Sequence, residues 1–386
     1  MEKLLTWAEI DLDAYAHNIR ELKRITQPQA RLMAVVKANG YGHGAVEVAR
    51  TALQNGAEFL GVARLHEAIE LRKAGLAAPI LIFGYSPPES APSIFDNDLI
   101  QTVYSPATAR ALSEEAARRG AKIQVHIKLD SGMGRLGLLL DDPADEPYPG
   151  SAAARSIGDV KTISRLANLE VGGMFTHFAT ADSADKSYAN AQLERFMAFL
   201  SRLESDGLTP PLRHAANSAA LIHWPDSHLD LVRPGIATYG LNPSDEIKPN
   251  PVELRPVMTV KSRIIHLKQV PAGFHISYGI TYRTDQPTTI ATVPVGYADG
   301  LNRLLSSRGY MLVHGRRVPI VGRVCMDLTM LDVGALDDVQ IEDEVVVFGR
   351  QSDEVLAADE LATAVNTINY EVVTSITGRV PRIYKK

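Results

Sequence analysis

The chain has 386 residues, a length that corresponds to roughly two to three domains of ordinary size. Hydrophobic residues make up 45% and charged residues 22%, the balance of a globular protein with a large core, which excludes a disordered or fibrous chain. The 40 Lys and Arg against 45 Asp and Glu give a net charge of −5 without a basic cluster, which argues against nucleic acid or an anionic membrane as a partner.

Three features of the sequence indicate a cytoplasmic protein. Cys325 is the only cysteine and cannot form an internal disulfide, so a reducing compartment suits the chain. The N-terminal run MEKLLTWAEIDLDAY contains four acids and no uninterrupted apolar stretch, so it does not read as a secretory signal. No segment approaches the roughly 20 apolar residues that a membrane span needs.

The first two-thirds of the chain alternate short apolar runs, typical of buried parallel strands, with helical patterns. The predicted strands are 33–37, 59–62, 80–83, 100–103, 123–127, 171–175, 213–216 and 231–239, and the clearest helices are 14–25, 106–120 and 187–205. About eight strand–helix repeats over about 240 residues predict an α/β fold of the (β/α)8 TIM-barrel type, with a doubly wound sheet as the alternative.

The pattern changes after residue 241. Residues 242–251 are polar and contain three prolines, which is typical of a linker, and β-type runs follow at 257–265, 289–295, 311–321, 328–333 and 344–348, with one helix at 357–366. We therefore expect a barrel domain at 1–243 and a mostly-β C-terminal domain at 244–386. The acidic, proline-rich segment 141–150 is predicted to be a solvated loop.

The run VVKANGYGHG is the most informative for chemistry. It places Lys37 at the end of a buried strand, before glycines 40, 42 and 44. The carboxyl ends of barrel strands form the active-site face, and a desolvated lysine there suits a Schiff base or a general base. A strand-end lysine beside an ordinary glycine-rich turn is the structural alternative.

Four other predicted strand ends carry polar groups, in the runs KLDSGMGRLG, THFATAD, HAANSA and RPGI. Each alone is typical of a turn or of a hydrogen-bonded core histidine, but together they indicate polar and cationic groups that converge on one face. The pairs Asn217-Ser218 and Gly235-Ile236 offer hydroxyl and backbone N–H donors that suit a phosphate. In the second domain, the runs ISYGITY, PVGYADG and VGRVCMD are typical either of site loops or of ordinary β-turns.

The ordered set of motifs resembles the alanine racemase family of pyridoxal 5'-phosphate enzymes, from about Trp7 to Arg382. The motifs that carry the resemblance are VVKANGYGHG, DSGMGRLG, THFATAD, HAANSAA, RPGIATYGL, ISYGITY, PVGYADG, GRVCMD and INYEV. The resemblance implies a barrel followed by a β domain that is joined by residues 1–12, and a homodimer with shared active sites. It also implies two-base interconversion of L- and D-alanine, which supplies D-alanine for peptidoglycan.

The resemblance also assigns roles to residues. Lys37 matches the lysine that carries the cofactor, and Tyr278 matches the second catalytic base, delivered across the dimer interface. The residues that match cofactor-binding positions are Tyr41, Ser218, Gly235, Ile236 and Tyr370 at the phosphate, and His177, Asn217 and Arg233 at the ring. Arg135 and the backbone of Met326 match positions that bind the substrate carboxylate, and Lys128 matches a lysine, often carbamylated, that positions Arg135. The residues that match the substrate entrance are Tyr297, Arg303, Arg323 and Ile368, and Asp327 matches a supporting position. No metal site is expected.

The sequence departs from the family's usual pattern at two places, and three alternative functions remain open. Gly40 stands where the family commonly has alanine, and the region 141–156 is longer than usual and would alter the rim. A barrel-type decarboxylase would place an acid at the ring nitrogen, where this chain has Arg233. A broader serine/alanine racemase is commonly exported, and a cofactor carrier without turnover would not need the second domain.

Overall fold

The computed structural model describes residues 3–140, 151–244, 246–247 and 251–386. The loop predicted at 141–150 and part of the linker predicted at 242–251 lie outside these residues. The chain divides into two compact units. The barrel unit holds residues 16–40 and 45–255, and the sheet unit holds residues 1–15, 41–44 and 256–386.

Eight parallel strands, counted over the described residues, form the sheet of the barrel unit. In chain order they are Arg31–Val35, Phe59–Val62, Ile80–Ile82, Ile100–Val103, Ile123–Asp130, Leu169–Phe175, Arg213–His214 and Leu231–Val232, each paired with the next along the chain up to Arg213–His214. The last strand pairs with the first, and the Asp230 N–H donates to the Arg213 carbonyl (3.0 Å), which closes the ring. The predicted (β/α)8 barrel is confirmed, and the doubly wound alternative is wrong.

Helices alternate with the strands of the barrel, and the first helix precedes the first strand. They are Leu12–Ile25, Ala45–Gln54, Leu65–Lys73, Ala91–Asp96, Pro106–Arg118, Ala152–Ser164, Ser187–Ser205 and Ser218–His223, and a two-residue strand, Leu138–Leu139, pairs with the end of Ile123–Asp130. The strands read as continuous apolar runs because they are buried on both faces. Inside the ring, the buried side chains of Met33, Phe59, Leu81, Ile100 and Leu231 pack into one cluster.

The structure corrects the ends of several predicted strands; the strand predicted at 123–127, for example, extends to Asp130. The strand predicted at 231–239 stops at Val232, because Pro234 has no N–H for a sheet ladder, and Ile236–Tyr239 forms a 3-10 helix. The strand predicted at 213–216 stops at His214. The strand predicted at 33–37 runs from Arg31 to Val35, and Lys37 begins a separate turn.

The sheet unit is rich in β-structure, so the predicted mostly-β C-terminal domain is confirmed. Its main sheet has the order Arg316–Pro319, Tyr310–Val313, Glu344–Gln351, Met258–Arg263, Thr6–Asp11 and Arg382–Lys385, with Glu354–Leu356 paired to Glu344–Gln351. A second sheet holds His266–Val270, Thr288–Val293 and Thr329–Asp332, and a hairpin holds His275–Ile276 and Tyr282–Arg283.

The sheet unit has an N-terminal strand in its main sheet and two helices near its C-terminal end. Thr6–Asp11 lies between Met258–Arg263, with which it is antiparallel, and Arg382–Lys385, with which it is parallel. The helix predicted at 357–366 is Ala358–Ala364, and a second helix, Asn369–Ser375, follows it. The positive φ of Asn366 (57°) separates the two helices.

In the part of the chain described here, no helix is both long and apolar enough to cross a membrane.

Candidate active site

Lys37 begins a left-handed turn that directly follows the first barrel strand. Ala38, Asn39, Gly40 and Tyr41 have φ values of 52°, 53°, 60° and 51°. This conformation costs roughly 1–2 kcal/mol for each residue other than glycine, so a run of four needs strong external support. The turn is therefore strained, and the surrounding structure has to hold it.

Three hydrogen bonds supply that support within the barrel unit. The Gly40 N–H donates to the Val36 carbonyl (2.9 Å), and the Asn39 carboxamide oxygen accepts from the Ala45 N–H (2.9 Å). The Ala38 N–H donates to Oε1 of Glu67, a residue of the next strand–helix unit, at 2.6 Å.

Gly40 lies in the middle of the left-handed turn. A Cβ at this position would lie 2.8 Å from Cγ2 of Val48, and the positive φ adds strain for any side chain. The glycine therefore suits both the backbone conformation and the close approach of the helix Ala45–Gln54.

The charges around Lys37 favour its neutral form. Burial lowers the pKa of Lys37, the Arg135 guanidinium lowers it further, and the Glu67 carboxylate opposes both. Burial, followed by Arg135 and Arg233, also lowers the pKa of Lys128 to about 8. The barrel unit thus gathers its cations at the strand ends, which suits an anionic ligand and a nucleophilic amine.

A single carboxylate organises the loop that carries Arg135. Oδ1 of the buried Asp130 accepts the N–H groups of Gly132 (3.0 Å), Met133 (2.8 Å) and Gly134 (3.1 Å). Oδ2 accepts the N–H of Arg135 itself (3.1 Å). The four bonds fix the backbone from which the Arg135 side chain extends.

Arg233 is a buried cation whose partners are neutral. Its Nη1 donates to Nδ1 of His214 (2.9 Å), and its Nη2 donates to the carbonyls of Thr176 (2.8 Å) and Ala215 (3.0 Å) and contacts Nδ1 of His177 (3.4 Å). Burial lowers the pKa of Arg233 to about 9, so the side chain stays protonated near neutral pH. Within the described residues, none of these bonds uses the Nε–H, which remains for a ligand.

The histidines around Arg233 form a defined sequence of donors and acceptors. Burial and the Arg233 charge lower the pKa values of His214 and His177, and they lower the pKa of His126 to about 3. A guanidinium only donates, so Nδ1 of His214 accepts, and its Nε2 carries the proton that is shared with Nδ1 of His126 at 2.9 Å. The ring of Phe175 stacks on His214 with centroids 4.7 Å apart.

The ends of the last two strands form a cluster of anion-binding groups. Asn217 caps the helix Ser218–His223, since its carboxamide oxygen accepts the Ala220 N–H (3.0 Å). The Ser218 hydroxyl oxygen accepts the N–H groups of Gly235 (2.9 Å) and Ala237 (3.3 Å). Two short helices thus begin side by side, and the first N–H groups of a helix have no partner within it.

These groups fit pyridoxal phosphate, the cofactor that the sequence resemblance implies. The cofactor has an aldehyde, a pyridine nitrogen and a phosphate. The barrel unit offers a desolvated amine at Lys37, an N–H donor at Arg233, a hydroxyl donor at Ser218, and the N–H of Ile236 at the start of its 3-10 helix.

Tyr278 lies on a strained, exposed loop of the sheet unit. Its side chain is 72% exposed, and its neighbours Ser277, Gly279 and Ile280 all have positive φ (68°, 70° and 45°). The Ser277 hydroxyl donates to the Arg323 carbonyl (2.7 Å), which anchors the loop to the run VGRVCMD. The strain and the anchor together present the phenol to solvent.

Two other tyrosines that the sequence analysis named lie together in the sheet unit. The ring centroids of Tyr41 and Tyr370 are 6.2 Å apart. Burial raises the pKa of Tyr41 well above its ordinary value, so this phenol keeps its proton. A protonated phenol is a donor, as a phosphate ligand requires.

The remaining positions form two groups in the sheet unit. Two backbone hydrogen bonds join the run PVGYADG to the run VGRVCMD. The N–H of Tyr297 donates to the carbonyl of Cys325 (3.0 Å), and the N–H of Ala298 donates to the carbonyl of Met326 (3.0 Å). Met326 is 54% exposed, and the Asp327 carboxylate pairs with Arg379 (2.8 Å).

The positions predicted at the entrance are partly exposed. Tyr297 and Arg303 line a cavity of about 300 Å³, and Ile368, just before the helix Asn369–Ser375, is 61% exposed.

Three residues that hold the candidate site, Asp130, Glu67 and His126, are not singled out by the sequence. Asp130 could have been found, because an aspartate before a glycine-rich run is typical of a side chain that binds the next backbone N–H groups. Glu67 stands three residues after Arg64, the spacing of a capping box, which predicts its helix contact but not its bond to Ala38. No local pattern indicates the contact between His126 and His214, which are 88 residues apart.

Family models match most of the chain. Residues 10–243 match the model described as "Alanine racemase, N-terminal domain", and residues 257–384 match "Alanine racemase, C-terminal domain". The alanine racemase of Desulfosudis oleivorans is 55% identical over 386 residues, which cover 100% of this chain and 97% of that protein. The alanine racemase of Desulforamulus reducens is 49% identical over 378 residues, with 98% of each chain covered.

Solved structures with the same fold cover nearly the whole chain. The alanine racemase of Clostridium difficile 630 has a TM-score of 0.92 at 39% identity, with 100% of this chain and 97% of that chain covered. The Bacillus anthracis alanine racemase with bound L-Ala-P has a TM-score of 0.91 at 41% identity, with 100% and 96% covered. The Bartonella henselae alanine racemase with covalently bound pyridoxal phosphate has a TM-score of 0.86 at 30% identity, with 99% and 100% covered.

Proposed function

The chain belongs to the alanine racemase family and is a pyridoxal-phosphate-dependent isomerase of alanine, and we propose that Lys37 and Tyr278 are its two bases. The observation that carries this assignment is the left-handed turn, which presents a half-buried amine of lowered pKa at the strand ends of the barrel. Burial and then Arg135 lower the pKa of that amine, and burial together with the charges of Arg135, Arg233 and Lys37 lowers the pKa of Lys128. This concentration of positive charge suits a phosphate and a carboxylate.

We propose that the cofactor is held at three points, namely its aldehyde carbon, its phosphate and its ring. Lys37 carries it, and its phosphate accepts hydrogen bonds from Ser218, Gly235, Ile236, Tyr41 and Tyr370. His177 and Asn217 lie beside its ring. When bound, pyridoxal phosphate supplies an electron sink for the negative charge that develops at the substrate Cα.

Arg233 sets the type of reaction in this proposal. Its guanidinium stays protonated near neutral pH and therefore donates to the pyridine nitrogen without transferring a proton to it. A carboxylate at this position would favour a protonated ring and the stronger electron withdrawal that transamination and decarboxylation use. The arginine thus supports racemisation over both alternatives.

The two bases act on opposite faces of Cα. A fixed substrate presents its proton to only one side, so one base removes the proton and the other returns it. We propose that Lys37 takes the proton from D-alanine and Tyr278 takes it from L-alanine. Arg135 and the backbone N–H of Met326 hold the substrate carboxylate, and Lys128 positions Arg135.

We further propose that the active enzyme is a homodimer with shared sites. Tyr278, on the sheet unit of one copy, serves the barrel unit of the other, and its 72% exposure supports this role. Tyr297, Arg303, Arg323 and Ile368 line the substrate entrance, with Asp327 in support. In the cell, we place the enzyme in the cytoplasm as a supplier of D-alanine for peptidoglycan, with no nucleic acid or membrane as partner.

Borohydride reduction followed by peptide mapping tests the assignment of Lys37. Reduction fixes the cofactor to the side chain that carries it, so the labelled peptide should contain Lys37. Lys37→Ala should lose both the cofactor absorbance and nearly all racemase activity. A label on another lysine, in protein that binds the cofactor normally, would overturn the assignment.

A further inference from the structure

We propose that Glu67 is a positioning residue for Lys37, and that its carboxylate holds the left-handed turn in the conformation that presents the lysine amine to the cofactor. The inference rests on the proposed role of Lys37. Glu67 belongs to the helix Leu65–Lys73, which follows the second barrel strand. Nothing in the sequence pattern around it, beyond the start of that helix, indicates a role at the site.

The carboxylate of Glu67 joins two consecutive strand–helix units. Oε1 accepts the N–H of Ala38 (2.6 Å), the residue directly after Lys37. Oε2 accepts the N–H groups of Ala63 (2.8 Å) and Arg64 (2.9 Å), at the start of its own helix. One side chain therefore ties the turn to a rigid helix end.

The bond to Ala38 acts on the peptide group that leaves Lys37. The Ala38 N–H belongs to this peptide group, so its hydrogen bond fixes the direction in which the chain enters the turn. Ala38 has a φ of 52°, a conformation that alanine rarely adopts without external support. Without Glu67, we expect the turn to relax and the amine to leave its position.

A carboxylate suits this task better than a carboxamide. Three N–H groups point at the two oxygens of Glu67, and both oxygens accept. Glutamine has one acceptor oxygen and a donating amide group, so it can satisfy either the turn or the helix start, but not both. The conservative substitution Glu67→Gln therefore removes the bridge while it keeps the size of the side chain.

The charge of Glu67 gives the proposal a second, separable readout. Glu67 is the anion that raises the pKa of Lys37, against the cations Arg135 and Lys128 and beside the neutral His177. In Glu67→Gln, the pKa of Lys37 should fall further. At high pH, where the amine is neutral in every variant, only its position still differs.

The test measures how fast the full-length chain, stripped of cofactor, captures added pyridoxal phosphate as a function of pH. We expect Glu67→Gln to lower the high-pH plateau by about tenfold to a hundredfold, the effect of a displaced reacting group. The midpoint of the pH profile should move to lower pH. The circular dichroism of the bound cofactor should also change, because its orientation depends on the turn.

Glu360→Gln is the matched control. Glu360 likewise accepts the N–H at the start of its own helix (Ala357, 3.1 Å), but it belongs to the sheet unit and has no role in the turn. It should leave the plateau and the midpoint unchanged. An unchanged plateau in Glu67→Gln would overturn the proposal, and so would an equal loss in both variants.

Two further variants keep the proposal falsifiable if Glu67→Gln folds poorly. Glu67→Asp keeps the charge but is one methylene shorter, so it should lower the plateau with little change in the midpoint. Ala38→Gly removes the cost of a positive φ and should restore part of the plateau in the Glu67→Gln background. No recovery in the double variant would contradict a route through the turn.

Borohydride mapping separates this inference from the proposed function. If the label lies on Lys37 and the plateau of Glu67→Gln is normal, only the positioning role fails. If the label lies on another residue, the proposed function itself fails.

Discussion

Arg233 is a buried cation, and no carboxylate of the described residues pairs with it. Its charge is dispersed over two backbone carbonyls and neutral histidines, because His214 and His177 are too buried, and too close to the guanidinium, to take up a proton. The arrangement leaves the guanidinium as a fixed donor, and it makes the histidines sensitive to acid.

The first prediction concerns that sensitivity. An unfolded histidine binds a proton below its usual pKa of 6.5, whereas His126 in the folded chain has a pKa of about 3. The unfolded state therefore binds more protons between these values, and stability falls as the pH falls. Each such histidine should contribute a slope of about 1.4 kcal/mol per pH unit to the free energy of unfolding.

The measurement is urea unfolding between pH 6.5 and 4, compared with His126→Gln. The glutamine carboxamide oxygen can still accept from His214, but the side chain cannot titrate. The slope of the free energy of unfolding against pH should therefore decrease by the contribution of one histidine, about 1.4 kcal/mol per pH unit. His66→Gln, at an exposed position, is the control. A slope that is the same in both variants would contradict the assignment of a buried, neutral His126.

The loop DSGMGRLG shows how an element depends on one side chain. Its glycines permit the turns, but Asp130 selects one of the many conformations that glycines allow, because its carboxylate collects four N–H groups. Arg135 extends from the last of these four residues. Its position is therefore set by a carboxylate five residues earlier.

The second prediction is that Asp130→Asn raises KM for alanine by about tenfold with a smaller change in kcat, because one lost charged hydrogen bond corresponds to about 1.4 kcal/mol. Steady-state kinetics in both directions measures the split. Asp185→Asn is the control, since Asp185 accepts the Ser187 N–H in an exposed loop (2.8 Å). If kcat instead falls about tenfold and KM is unchanged, Asp130 does not act through the binding of the substrate carboxylate.

At this scale, the sequence predicts the interior of elements better than their ends. The runs 59–62 and 100–103 coincide with observed strands because burial on both faces demands uninterrupted apolar residues. The left-handed turn after Val36 was not predicted, because Ala38 and Asn39 carry no strong signal for it. Their conformation depends on Glu67, which is distant in sequence.

Each of the two units carries residues that the sequence resemblance assigns to the site. The order of the motifs can be recognised along the sequence. The strand Thr6–Asp11, however, lies between Met258–Arg263 and Arg382–Lys385, which are some 250 and more residues away. Local sequence patterns do not predict the pairing register of such distant strands. The candidate residues of the barrel unit come from separate strand ends. Those of the sheet unit come mainly from three loops and one helix.

The third prediction follows from the proposed shared site. Mixing Lys37→Ala chains with Tyr278→Phe chains should restore activity, because one site of each mixed dimer would have both intact residues. Random exchange gives half mixed dimers with one intact site each, so about a quarter of the wild-type activity should return. If subunit exchange is demonstrated by mass spectrometry and no activity returns, each site is complete within one chain.

The proposed mechanism requires that Lys37 and Tyr278 act on opposite faces of the substrate. Deuterium exchange at Cα in heavy water, measured in Tyr278→Phe, tests it most directly, because the variant removes only the phenol hydroxyl. Racemisation should collapse in both directions with the cofactor still bound, while exchange from D-alanine should survive much better than exchange from L-alanine. Equal exchange from both enantiomers would contradict the claim and indicate a single mobile base.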